Sequence, residues 1–111
     1  MLEMGTADFK GEGKAMLFVL ICKDKPGEGL ARRIATRPEH LAYLQSLGDK
    51  VRCAGGLLSP EGEPRGSLII LEAEDLAAAK AIADADPYAG AGVFESVEVM
   101  PWRQALGAVQ V

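Results

Sequence analysis

The chain carries a single histidine, His40, and a pair of aspartates, Asp84 and Asp86, at the end of an alanine-rich stretch, "IADADPYAGAG" (82–92). An imidazole titrates near neutrality, so one histidine can serve as a general acid or base. It needs a carboxylate held beside it to orient the ring and stabilise its charged form. At roughly 100° per residue His40 shares a helical face with Leu44 and Leu47, which turns it toward the interior rather than into solvent. The same placement suits a structural histidine holding one hydrogen bond. Carboxylates at a helix C-terminus are disfavoured by the dipole, so the two aspartates need a reason to be there. Asp86 has one. It can cap a following short turn with Pro87 at the first helical position, where a negative charge is favoured. Capping also fixes the carboxylate in space. Asp84 has no such role and is expected to be solvated.

Other groups carry weaker signals. Asp24 lies just past the first apolar run and is an alternative partner for His40. "AGGLL" (54–58) sets Gly55 and Gly56 where a ligand can approach the backbone, or where a strand bulges. Ser67 follows Gly66 and suits a structural role better than a nucleophilic one. No phosphate-binding glycine fingerprint is present. One histidine and two separated cysteines, Cys22 and Cys53, make no metal motif. No cofactor and no metal are expected. Tyr43, Tyr88 and Trp102 read as packing aromatics.

The elements that must position these residues follow from apolar patterning. Met16–Cys22 is a strand apolar on both faces. "KDKPGEGLA" is a loop. A helix is expected from Thr36, acting as N-cap, with Pro38 in its first turn, Glu39 completing a capping box, and Gly48 as its stop. Residues 50–58 form a shorter strand and "SPEGEPRG" a polar turn. Residues 67–74 form a second strand apolar on both faces. Asp75 caps "LAAAKAIADA", and residues 93–100 form a last strand. The order β-α-β-β-α-β is the ferredoxin-like arrangement. The two strands apolar on both faces belong in the centre of an antiparallel four-stranded sheet. Two helices cover only one face of such a sheet, so the other is expected to pack against a second copy, as a homodimer or higher homo-oligomer.

With 111 residues, of which 49% are hydrophobic and 25% charged, the chain reads as a single globular domain. Its net charge of −4 and scattered basic residues argue against nucleic acid as a partner. No apolar run spans a membrane, and the N-terminus lacks a secretory h-region. Two cysteines are too few for a disulfide framework, so a cytoplasmic setting with free thiols is expected. Residues 1–15 are polar and aperiodic and read as a disordered extension, an upstream start or a cloning scar. Residues 16–111 form the domain.

The segments "MLFVLICKDKPG", "RPEHLAYLQSLGDKVRCAGGLL" and "GSLIILEAEDLAAAKAIADADPYAGAGVFESVEVMPW" together resemble the YciI-like (YCII-related) family, from about Met16 to Arg103. The resemblance implies a ferredoxin-like protomer in a dimeric α+β barrel. It also implies a proposed catalytic pair, falling here on His40 in RPxHL and Asp86 in DPY. Most of the family has no assigned reaction, and one relative eliminates chloride from a chlorinated aromatic. The turn "SPEGEPRG" is shorter than in many relatives, which trims one rim of the pocket. The expected function is acid–base chemistry of lyase or isomerase type on a small polar or aromatic metabolite. Asp24, Arg37, Gly55, Ser67 and Tyr88 form the expected substrate-binding set. The alternative is a non-catalytic small-molecule binding or stress-related protein using the same cleft.

Overall fold

The computed structural model describes residues 16–111; the expected extension, residues 1–15, lies outside the described residues. The elements are β1 (Met16–Asp24), α1 (Gly29–Ser46), a 3₁₀ turn (Gly48–Lys50), β2 (Val51–Leu58), β3 (Pro64–Ala73), α2 (Leu76–Asp84), α3 (Pro87–Gly90) and β4 (Phe94–Pro101). The strands form one antiparallel sheet in the order β2-β3-β1-β4. The fold is ferredoxin-like, and the two strands apolar on both faces are the central ones, as their patterning requires. Away from the strand ends, the helix-facing side chains of both central strands are buried, and those of the other face range from buried to half-buried.

Strand parity divides the sheet. Phe18, Leu20 and Cys22 of β1 share the helix-covered face with Ile69, Leu71 and Ala73 of β3. They form the core with Ala79 and Ala83 of α2. The small alanines let α2 lie close to the sheet. Asp24 and Ser67 continue the same two rows beyond the apolar part. Register places Cys22 opposite Ser67, so a polar end is built onto the apolar core. The opposite face carries Leu17, Val19, Ile21, Leu68 and Ile70 from the central strands and Met100 from β4.

Helix α1 departs from the sequence expectation. It begins at Gly29, two turns before Thr36, and its N-cap residue Glu28 makes no side-chain cap. The proposed capping box at Thr36 and Glu39 is therefore inside the helix, and Pro38 lies mid-helix rather than in the first turn. An interior proline removes one backbone bond and crowds the carbonyl four residues back, at a cost of about 3 kcal/mol. Here that carbonyl belongs to Ile34, whose side chain is exposed, as is Pro38, so the disturbed ladder faces water. Buried Arg33 and His40, with half-buried Leu30 and Leu44 on the same stripe, hold both halves of the helix against the rest of the fold. Gly48, with φ +61, supplies the left-handed residue that ends it.

Asp75 caps α2 as expected, accepting from the Ala78 N–H at 2.8 Å. Asp86 caps α3 and Pro87 opens it. Asp84 is exposed. Among the described glycines the tightest surroundings are those of Gly66 in β3, where an added Cβ would stand 2.2 Å from the Cys22 carbonyl oxygen. Gly66→Ala is expected to destabilise the protein by about 1–3 kcal/mol, as overpacking in a rigid sheet does. Gly90→Ala, where a Cβ meets nothing within 4 Å, is expected to be neutral or slightly stabilising. Urea unfolding of the two variants checks the contrast.

Candidate active site

Two helices and the sheet meet at the polar end of the core. Helix α1 supplies Arg33, Arg37 and His40, α3 supplies Asp86 as its cap and Tyr88, and the sheet supplies Asp24 and Ser67. The Asp86 carboxylate is set by local chain geometry. Its Oδ1 accepts the Tyr88 N–H at 2.9 Å, which pins the side chain over the first turn of α3. From there it meets His40, whose Nδ1 lies 2.9 Å from Oδ1 and 3.0 Å from Oδ2. Both residues are buried. A carboxylate accepts, so the tautomer that suits this contact is the one in which Nδ1–H donates to Asp86, and His40 also lines a cleft.

Tyr88 is fully buried, and its ring stacks on the His40 imidazole with centroids 3.8 Å apart and planes 10° from parallel. The Arg33 guanidinium lies over the same ring, 4.6 Å from its centroid. His40 fills one face, so Arg33 takes the other. Residues seven apart on a helix are two turns apart, which is the spacing that admits one ring between them. Arg33 is itself anchored by a bidentate pair, Nε to Asp24 Oδ2 at 2.7 Å and Nη2 to Oδ1 at 2.8 Å. Nη2 also donates to Ser67 Oγ at 3.0 Å. Burial alone would weaken the charge on Arg33, but the Asp24 contacts outweigh it and hold its pKa above the ordinary value.

A cleft of about 160 Å³ opens beside this column. Arg37, His40, Gly55, Ser67 and Tyr88 line it, with Arg33 in its wall and Leu41, Leu44 and Ile69 as its apolar sides. The structure thus brings His40 and Asp86 into contact and gathers four of the five expected substrate-binding residues. Asp24 is the exception. It is neither a partner of His40 nor among the residues lining the cleft, because both its oxygens engage Arg33. Arg33 is the central residue that sequence reasoning missed. The signal was present, since Arg33, Arg37 and His40 fall at 3- and 4-residue spacing, but a helix begun at Thr36 leaves Arg33 in a loop. Tyr43, read as a packing residue, ties α1 to α2 by donating from its hydroxyl to the Ile82 carbonyl at 2.7 Å.

Burial also governs the remaining acidic protons. The Tyr88 phenol is held above its ordinary pKa by burial, partly offset by the charges of Arg33 and Arg37. Burial likewise raises Tyr43, with Asp86 adding to the effect. Cys22 lies beneath the site, and burial, reinforced by the negative charge of Asp86, pushes its thiol up to about 12.

The family model of the YCII-related domain matches residues 16–103. Protein YciI of Escherichia coli is 42% identical over 97 residues, covering 80% of this chain and 98% of its own length. An uncharacterised protein of Haemophilus influenzae is 35% identical over 97 residues, covering 80% of this chain and 98% of its own length. Among solved structures, the 5-chloro-2-hydroxyhydroquinone dehydrochlorinase TftG of Burkholderia phenoliruptrix, in complex with 2,5-dihydroxybenzoquinone, aligns with a TM-score of 0.76. It is 34% identical, and the match covers 81% of this chain and 96% of that one.

The Cys22 shift makes a pH prediction. A thiol whose folded pKa is raised keeps its proton longer when folded, so its contribution is complete below about 9 and fades as pH rises through about 12. Between those limits the wild type should lose up to roughly 4 kcal/mol more stability than Cys22→Ala, the value of three pKa units. Urea unfolding at a series of alkaline pH values checks it; parallel curves for the two proteins would refute it.

Proposed function

The chain belongs to the YCII-related domain family, and on that premise we propose that it is an acid–base enzyme of lyase or isomerase type. Its substrate is a small polar or aromatic metabolite. The observation that carries this reading is the buried His40–Asp86 contact at the wall of an open cleft. Asp86 holds the Nδ1 proton, which presents Nε2 to the cleft as a base. When Nε2 takes a proton from substrate, the positive charge forms beside a carboxylate already in place, so little reorganisation accompanies the transfer. The stacked Tyr88 ring restrains the imidazole from turning away. The bonding pair released on substrate then expels a leaving group or shifts a double bond, and imidazolium returns the proton. TftG removes the elements of hydrogen chloride from its substrate, and a proton carrier with a fixed counter-charge suits chemistry of that kind.

The protein is further proposed to work as a cytoplasmic homodimer, packed through the sheet face that its helices leave open. That face is apolar, and Met100 upon it is 41% exposed in the single chain. Among the described residues no helix is long and apolar enough to cross a membrane.

Two measurements test these readings. Sedimentation at micromolar concentration is expected to show a dimer, and a stable folded monomer would refute the assembly. In a turnover screen of halogenated hydroquinones and small keto acids, His40→Gln is expected to lower kcat by about 10²- to 10⁴-fold, the usual worth of a positioned base. Its unfolding midpoint should move little. A loss of several kcal/mol of stability would mark His40 as structural instead. Tight ligand binding without turnover, unchanged in His40→Gln, would favour a non-catalytic binding protein.

A further inference from the structure

Every buried polar side chain at this end of the molecule has a partner except one. Tyr88 Oη is buried and meets no partner at full hydrogen-bond geometry among the described residues, the Arg33 guanidinium standing near enough to act on it but lying over the ring. A buried hydroxyl left without a full hydrogen bond is destabilising, so its presence beside a cleft asks for a ligand. Ser67 adds a second donor. Its Oγ is engaged as the acceptor of Arg33 Nη2, and a hydroxyl that accepts still has its own hydrogen to give. Ser67 is buried and lines the same cleft. Positive charge stands at the same place. Arg33 is neutralised by Asp24, but Arg37 lines the cleft and forms no ion pair among the described residues. Its charge acts on the Tyr88 hydroxyl, as does that of Arg33. Two hydroxyl donors and a guanidinium without an ion pair among the described residues, around one small cavity, form a site for a negative oxygen.

We propose that the cleft is an oxyanion-binding subsite: its ligand carries an anionic oxygen, a carboxylate or a phenolate, that accepts hydrogen bonds from Tyr88 Oη and Ser67 Oγ and faces the Arg37 guanidinium. The cleft volume of about 160 Å³ limits the body of that ligand to about one ring, since an apolar cavity of about 150 Å³ is filled by benzene. Leu41, Leu44 and Ile69 supply the apolar walls for it. The high pKa of Tyr88 keeps its proton in place to donate at neutral pH. The inference deepens the reading of the cleft as a substrate site by naming the charge that the substrate brings. It rests on that reading only for the location of the substrate, since anion binding requires no turnover.

Calorimetric titration with charged probes and their neutral counterparts tests it. Benzoate against benzamide reads the carboxylate arm, and 4-nitrophenolate against nitrobenzene reads the phenolate arm. At least one anion is expected to bind about tenfold or more tightly than its neutral partner, and the stronger arm names the group. Tyr88→Phe and Arg37→Gln should each remove about tenfold from the preferred anion and leave the neutral probe unmoved. Tyr88→Phe keeps the ring and its stacking, and Arg37 is exposed, so neither change threatens the fold. Equal binding of both members in both pairs overturns the proposal, as does full anion affinity in Tyr88→Phe. The anion preference is expected to persist in His40→Gln. The acid–base reading fails if no substrate turns over, the subsite fails if no anion is preferred, and each result can occur without the other.

Discussion

Everything at the polar end of this protein depends on one aromatic ring held between an arginine and a histidine of the same helix. Tyr88 lies between Arg33 and His40, and each of those is fixed by its own carboxylate. The arrangement solves a problem of desolvation. A charged pair taken out of water repays its cost only when its geometry is close to ideal and its remaining donors are satisfied. Arg33 meets the condition through two bonds to Asp24 and one to Ser67. The rigidity so gained is passed through the ring to His40, which stacks on its other face.

The rest of the fold can be read as what this column needs. Seven residues must separate Arg33 from His40 along an unbroken helix, which is why α1 runs through Pro38 rather than starting at it. Asp24 and Ser67 must extend the helix-facing rows of the central strands, which fixes the register of β1 against β3. The sharp approach at Gly66 lets those strands come together where the apolar core gives way to polar groups.

Much of this was legible in the residues. Strands apolar on both faces announced their central positions, and Asp86-Pro87 announced a cap on local chemistry alone. The pairing of His40 with Asp86 came from the resemblance rather than from spacing, and the structure places the two in contact. What escaped was non-local. Thr36, Pro38 and Glu39 imitate a helix start, and only burial of Arg33 against a sheet residue nine positions earlier overrules them. The cleft was equally hidden, because it forms where Ala54–Gly56 of an edge strand stand away from α1, and no sequence window contains both walls.

Asp86 has a consequence for how this chain can drift. Its side chain answers two demands at once, ending a turn at the Tyr88 N–H and bearing a charge toward His40. Asparagine, serine or threonine can meet the first demand but brings no charge. Glutamate brings the charge, but its longer stem is ill suited to the cap. No single replacement satisfies both, so there is no neutral path away from aspartate at this position. The neighbouring Asp84 has the same chemistry, stands exposed, and answers to neither demand. Two identical residues a step apart are thus held under opposite degrees of freedom, set by which one the chain happens to bend around.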